Sequence, residues 1–262
     1  MVQARGDKVR LLATLLAGLA LAAFLALVAP GWAMAKARSV VLACNDFPPL
    51  KIEKPGADGL RGSDVDVIAE IAKRSGLELV PQFMPWNRGY AEASAGKIDG
   101  LCSCSYREDR AALFHFSRPI GHTSVGVFTR AGMMTAPIVG LGDLRGTRVG
   151  AVKGYNLEDE LTEAGMPHET VGNDRLAYEM LINARFDFLY SFRAPIDFLL
   201  RDALPDKIVY REFRTSPYYL CLSKAVPDTA AMLPQIDAAI AEMERDGTFN
   251  AIQRRYGLAP MN

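Results

Sequence analysis

Histidine is scarce in this 262-residue chain: His115, His122 and His168 are scattered, and none stands at metal-ligand spacing. That sets aside an imidazole-built metal centre, because such sites draw on closely spaced His, Cys, Asp and Glu. Net charge is also absent, with 30 basic and 30 acidic side chains. Residues 1–37 hold four of the basic ones (Arg5, Lys8, Arg10, Lys36) and one acidic, Asp7, which leaves 26 basic against 29 acidic in the rest. With no basic run there, nucleic acid and anionic membrane surfaces are excluded as charge-selected partners. Cysteine is sparse too: Cys44, Cys102, Cys104 and Cys221. In an oxidising compartment these allow one or two disulfides, and spacing alone does not give the pairing. Cys102 and Cys104, two apart on one face of an expected strand, are poorly placed to bond each other.

One long apolar run is present. Leu11 to Ala29 follows the basic start, ends at Pro30-Gly31, and leads into Ala33-Met34-Ala35-Lys36-Ala37. Basic start, apolar middle and small-residue exit read as a secretory signal peptide over residues 1–37, cleaved after Ala35 or Ala37. The run also approaches the ~20 residues that span a bilayer, so a retained anchor is the alternative. Pro30-Gly31 and the small-residue exit favour cleavage. On either reading the chain from residue 38 is exported, and a periplasmic location is expected. Lipidation of Cys44 is disfavoured, because Lys36 and Arg38 separate it from the apolar run and Val40 to Ala43 reads as a strand.

After the leader, strand-like and helix-like patterns alternate. Val40–Cys44, Leu77–Phe83 and Ile98–Cys104 read as strands around helices at Val65–Ser75 and Arg88–Ala95, a βαβαβ order that implies a mainly parallel sheet with helices on both faces. The pattern restarts with strands at Ser124–Thr129, Arg148–Val152, His168–Val171, Phe186–Tyr190 and Ile208–Tyr210. Helices are expected between them at Leu157–Glu163, capped by Asn156, at Arg175–Ala184 and at Pro195–Asp202. A strand at Tyr218–Ser223 and helices at Thr229–Arg245 and Phe249–Arg255 close the chain. The expected fold is α/β with two lobes and a tail returning to the first, so that loops of both lobes surround a cleft.

Met84 to Pro119 concentrates the chemistry. It holds Pro85-Trp86-Asn87-Arg88, Gly96-Lys97-Ile98-Asp99-Gly100, Arg107-Glu108-Asp109-Arg110 and Phe116-Ser117-Arg118-Pro119. With Asn45-Asp46-Phe47-Pro48-Pro49, Gly62-Ser63-Asp64-Val65-Asp66, Asp143-Leu144-Arg145-Gly146, Gly150 to Gly154, Leu181 to Asp187 and Asp246-Gly247-Thr248-Phe249, the order and spacing over residues 39–257 resemble the family 3 periplasmic solute-binding proteins of ABC importers. The Pro-Trp-x-Arg stretch is similar to a variant branch of that family.

The resemblance implies a type II periplasmic-binding-protein-like fold of two α/β lobes joined by two crossing strands. Lobe 1 would comprise residues 38–120 and 218–262 and lobe 2 residues 121–217, with the crossings near Ile120 to Ser124 and Thr215 to Tyr219. By the same resemblance Arg110 pairs with a ligand carboxylate, Phe47 and Trp86 stack on the ligand, and Ser103 and Ser105 offer hydrogen bonds. Gly154-Tyr155-Asn156 would present helix-start amides to an anion. Where amino-acid receptors of the family place an aspartate for the α-ammonium, this chain has Phe192. It is identified as a monomeric receptor for a small carboxylate-bearing molecule or modified amino acid, serving an ABC permease and needing no cofactor. The alternatives are a periplasmic enzyme on the same scaffold, such as a cyclohexadienyl dehydratase using a carboxyl acid like Asp174 or Asp187, and a sensor without transport.

Overall fold

The computed structural model describes residues 38–133, 137–200, 207–258 and 260. The expected signal segment at 1–37 lies outside the described residues. Strand β1 (Val40–Cys44), helix α1 (Ser63–Ser75), β2 (Leu79–Phe83), α2 (Trp86–Ser94) and β3 (Gly100–Ser105) form the first βαβαβ unit, with β1 parallel to both β2 and β3. The short α3 (Glu108–Leu113) leads into β4 (Phe114–Arg130). A second unit follows: β5 (Val149–Val152), α4 (Asn156–Glu163), β6 (His168–Val171), α5 (Asp174–Ile182), β7 (Phe188–Phe192) and α6 (Arg193–Leu200), with β5 parallel to β6 and β7. Then come β8 (Ile208–Ser223), α7 (Thr229–Arg245) and α8 (Thr248–Arg255).

The eight strands run in the order β2-β1-β3-β8-β4-β7-β5-β6. Two parallel three-stranded blocks thus stand at either end, joined by the antiparallel pair of β4 and β8. This is the expected two-lobed α/β architecture. The expected short strands at Ser124–Thr129, Ile208–Tyr210 and Tyr218–Ser223 are parts of β4 and β8, which continue through both lobes. The ladder absorbs Pro119 and Gly121 through register shifts between Phe116 and Pro119 and between Pro119 and Gly121, while Pro217 pairs with His122 in register. At the expected crossings the strands pair directly, Pro119 with Tyr219 and Ser124 with Thr215.

Local sequence explains the elements that position the cleft. Helix α1 buries Val65, Val67, Ile68 and Ile71 and stops at Gly76, which adopts a left-handed φ of 73°. Each such buried aliphatic contributes about 1.5–3 kcal/mol. Its first turn is pinned to the preceding loop, with the Ser63 amide donating to Pro49 O at 3.0 Å and the Asp64 amide to Leu50 O at 2.8 Å. Gly62, at φ 109°, permits this approach, because a Cβ there would lie 2.3 Å from Leu50 O. The contact sets Lys51 beside Asp64. The C-terminal helices pack on α1: Arg74 pairs with Asp246 at 2.7 Å, and the Tyr256 hydroxyl donates to Asp66 at 2.8 Å.

Two disulfides secure the first lobe, Cys44–Cys102 between β1 and β3 and Cys104–Cys221 between β3 and β8. Alternate positions of β3, Cys102 and Cys104, are thereby tied to its two neighbours.

Candidate ligand-binding cleft

A cavity lies between the lobes, and all eight expected residues line it: Phe47, Trp86, Ser103, Ser105, Arg110, Tyr155, Asn156 and Phe192. Arg110 sits in α3 and is 4% exposed. Its guanidinium donates to Ser105 O at 3.4 Å and stacks 5.3 Å from the Trp86 ring and 5.6 Å from Tyr90. Among the described residues it forms no ion pair. The neighbouring Asp109 carboxylate accepts from Arg107 and from the backbone amide of Arg110 instead. Burial pulls the Arg110 pKa down, while charges such as Asp109 and Asp159 pull it up. Guanidinium nevertheless remains charged at any relevant pH.

The aromatic wall comes from both lobes. Phe47 meets Tyr155 at 6.0 Å and Phe192 at 5.7 Å, Tyr155 meets Phe192 at 5.7 Å, and Trp86 meets Tyr155 edge-on at 6.4 Å. These spacings are favourable for aromatic pairs. Polar bonds also cross the cleft: Trp86 Nε1 donates to Gly154 O at 2.7 Å, Asn45 Nδ2 to the Tyr155 hydroxyl at 3.4 Å, and Arg107 to Glu163 at 2.9 Å.

Tyr155, not Asn156, is the cap residue of α4, and Asn156 is its first helical position. The loop amides are also less available than expected. Glu158 reaches back to accept from the Gly154 amide, and the Tyr155 amide donates to Val152 O at 3.2 Å. An acidic residue near a helix start satisfies nearby orphan donors in this way. Arg88, by contrast, stays out of the cavity and pairs with Glu92 on α2 at 2.8 Å.

Further residues that the sequence did not single out as site candidates also line the cavity, notably Asn45, Lys51, Thr123 and Tyr218. Lys51 is 4% exposed, donates to Ser103 Oγ at 2.6 Å, lies 4.8 Å from the Phe47 ring and stands 3.5 Å from Asp64 Oδ2. Nothing in one sequence marks a lysine for burial, although Gly62-Ser63-Asp64 marks its partner.

The two second-lobe carboxylates part company. Asp187 is held by Arg148 at 2.6 Å and Arg130 at 3.7 Å, which keeps its pKa low. It is a structural group away from the cavity. Asp174 lies behind Tyr155, accepting from that hydroxyl at 2.8 Å and from Ser191 at 3.4 Å, on the outer mouth of the cleft. Burial raises its pKa to about 6 against the pull of those bonds.

A carboxyl with a raised folded-state pKa holds its proton more tightly when folded, so stability falls as pH climbs from its unfolded value towards about 6 and stays lower above it. The shift corresponds to about 3 kcal/mol. Asp174→Asn should therefore stabilise the protein at pH 8 relative to the parent and leave it nearly unchanged at pH 4, as read by urea midpoints. Equal differences at both pH values would rule out Asp174 as the source. A general acid needs such a pKa, yet Asp174 is not on the inner cavity wall.

The sequence pattern of the bacterial extracellular solute-binding proteins, family 3, matches residues 40–259. The chain belongs to that family. This family 3 protein is 24% identical over 229 residues to the L-cystine-binding protein TcyA of Bacillus subtilis, covering 86% of the chain and 84% of that relative. It is 26% identical over 215 residues to the L-cystine-binding protein TcyJ of Escherichia coli, covering 80% of the chain and 79% of the relative. A histidine kinase sensor domain with similarity to periplasmic binding proteins superposes with a TM-score of 0.76 at 21% identity, covering 86% of this chain and 99% of that one, and shares the fold. The family 3 protein is thus a solute-binding receptor, and members of its family work outside the cytoplasm. Among the described residues no helix is long and apolar enough to cross a membrane.

Proposed function

We propose that this receptor serves an ABC importer, closing over a small carboxylate-bearing organic molecule or modified amino acid and delivering it as a monomer to a membrane permease. The observation that carries the reading is Arg110: buried, on the cavity wall, and without an ion-pair partner among the described residues. A desolvated guanidinium fork is complementary to a carboxylate, which it meets through two parallel hydrogen bonds. Phe192 works against ordinary α-amino acids, since an α-ammonium desolvated beside it without a counter-ion costs several kcal/mol. The ligand named for the curated relatives is therefore not carried over, because cystine brings two such ammonium groups.

A thermal-shift screen of amino acids, dicarboxylates, amines and aromatic acids tests this reading. Saturation at a hundred times Kd stabilises by about 2.7 kcal/mol, a rise of roughly 5–10 °C for a chain of this size. Arg110→Ala should abolish the rise, and its lost stacking on Trp86 and Tyr90 should lower the ligand-free midpoint from which that rise is read. Hits that persist in Arg110→Ala would refute the carboxylate assignment. Tight binding of common L-amino acids would refute the reading of Phe192.

A further inference from the structure

Two buried cations face this cavity, and no carboxylate lies on its wall among the described residues. Arg110 is held at Ser105 and Lys51 at Ser103. These serines are two apart on β3, which separates the anchor points by roughly 7 Å. Lys51 is only loosely engaged with Asp64: the ion-pair distance is 3.5 Å, Asp64 Oδ2 has no hydrogen-bond partner, and Asp64 Oδ1 is taken by the Tyr218 hydroxyl at 3.0 Å. Ser103 Oγ accepts from Lys51, and its hydroxyl, which also reaches the Asp64 carboxylate, keeps a hydrogen to donate. Thr123, 7% exposed and on the same wall, has a hydroxyl with no partner. The Lys51 amine and the Ser103 and Thr123 hydroxyls form a buried set of donors. A second anionic oxygen group would satisfy them, and buried donors left unmatched are costly.

We infer that the ligand is an amine-free dicarboxylate, one carboxylate on the Arg110 fork and the other at Lys51, Ser103 and Thr123, with its short apolar spacer against the aromatic wall that Phe47 and Phe192 form together. This rests on the receptor reading above and sharpens its ligand class. An ammonium would find two cations and no carboxylate on this wall among the described residues.

Isothermal titration of the purified exported protein with the linear dicarboxylates from succinate to pimelate, with the monocarboxylates of matching length, and with L-glutamate decides the matter. At least one dicarboxylate should bind about tenfold to a hundredfold more tightly than its monocarboxylate counterpart and than L-glutamate, the range for a charge-assisted hydrogen-bond set. Thr123→Val should cut that preference several-fold. The paired change Lys51→Gln with Asp64→Asn, which removes the lysine without stranding a buried carboxylate, should erase it. If monocarboxylates match dicarboxylates, or the preference survives the paired change, the second subsite is wrong while the Arg110 reading stands. If no dicarboxylate binds but other carboxylates give Arg110-dependent thermal shifts, the dicarboxylate class alone is overturned. If no carboxylate gives such a shift, both readings fall.

Discussion

Replacing Cys104 and Cys221 together with alanine should destabilise the folded protein by about 4–5 kcal/mol, and replacing Cys44 and Cys102 by about 4 kcal/mol. The bonds close loops with sequence separations of 117 and 58 residues, and loop-closure entropy grows slowly with length, which makes the two effects similar. Guanidinium midpoints for both paired variants, with m-values to monitor denatured-state compaction, provide the measurement. A loss below about 1 kcal/mol for either pair would show that its crosslink does not restrain the unfolded chain as its loop length implies. Function should suffer alongside stability. Strand β3 carries both serines of the cleft and leads directly into α3, where Arg110 stands, so loosening it displaces Arg110.

Gly154→Ala should weaken ligand binding by about a hundredfold with only a modest effect on ligand-free stability. Gly154 has φ 78°, and a Cβ there would lie 1.8 Å from Asn87 Oδ1 and 3.2 Å from Trp86 Cδ1, both on the opposite lobe. Gly165 supplies the control: its φ is 62°, yet a Cβ would meet nothing within 4 Å. Both substitutions carry a left-handed backbone cost of roughly 1–2 kcal/mol. Only the first collides across the cleft, and an obstruction of about 2.7 kcal/mol to closure is the hundredfold loss expected. Calorimetric affinities of the two variants for a ligand found by thermal screening, beside their denaturant midpoints, separate closure from folding. Equal affinities would show that Asn87 and Trp86 yield to the added methyl at little cost.

Much of this was legible in the residues, and the parts that were not have physical reasons. Helix α7 has the expected bounds, Thr229–Arg245, because its pattern is long and closed by Asp246-Gly247. Five of the eight cleft residues, Trp86, Ser105, Tyr155, Asn156 and Phe192, sit at an element end or its cap, and turn residues mark such ends well. The continuity of β4 and β8 was hidden, since prolines and glycines that terminate isolated strands are tolerated in a long ladder with register shifts. Disulfide pairing was hidden too, because it depends on which strands become neighbours, and β8 reaches β3 only after the second lobe is complete. Lys51 escaped notice for a related reason. A buried lysine is tolerable only with partners, and its partners Ser103 and Asp64 arrive from other elements.

The bond from Trp86 Nε1 to Gly154 O spans the cleft, and the sequence contains just one other tryptophan, Trp32, within the leader. In a chain that starts at residue 38, emission excited at the indole band originates from a single ring, whose hydrogen bond and aromatic neighbour Tyr155 come from across the cleft. Separation of the lobes exposes that ring to water, so its emission should shift to longer wavelength on opening and return on closure. The molecule carries its own optical gauge of lobe position, readable without any attached dye.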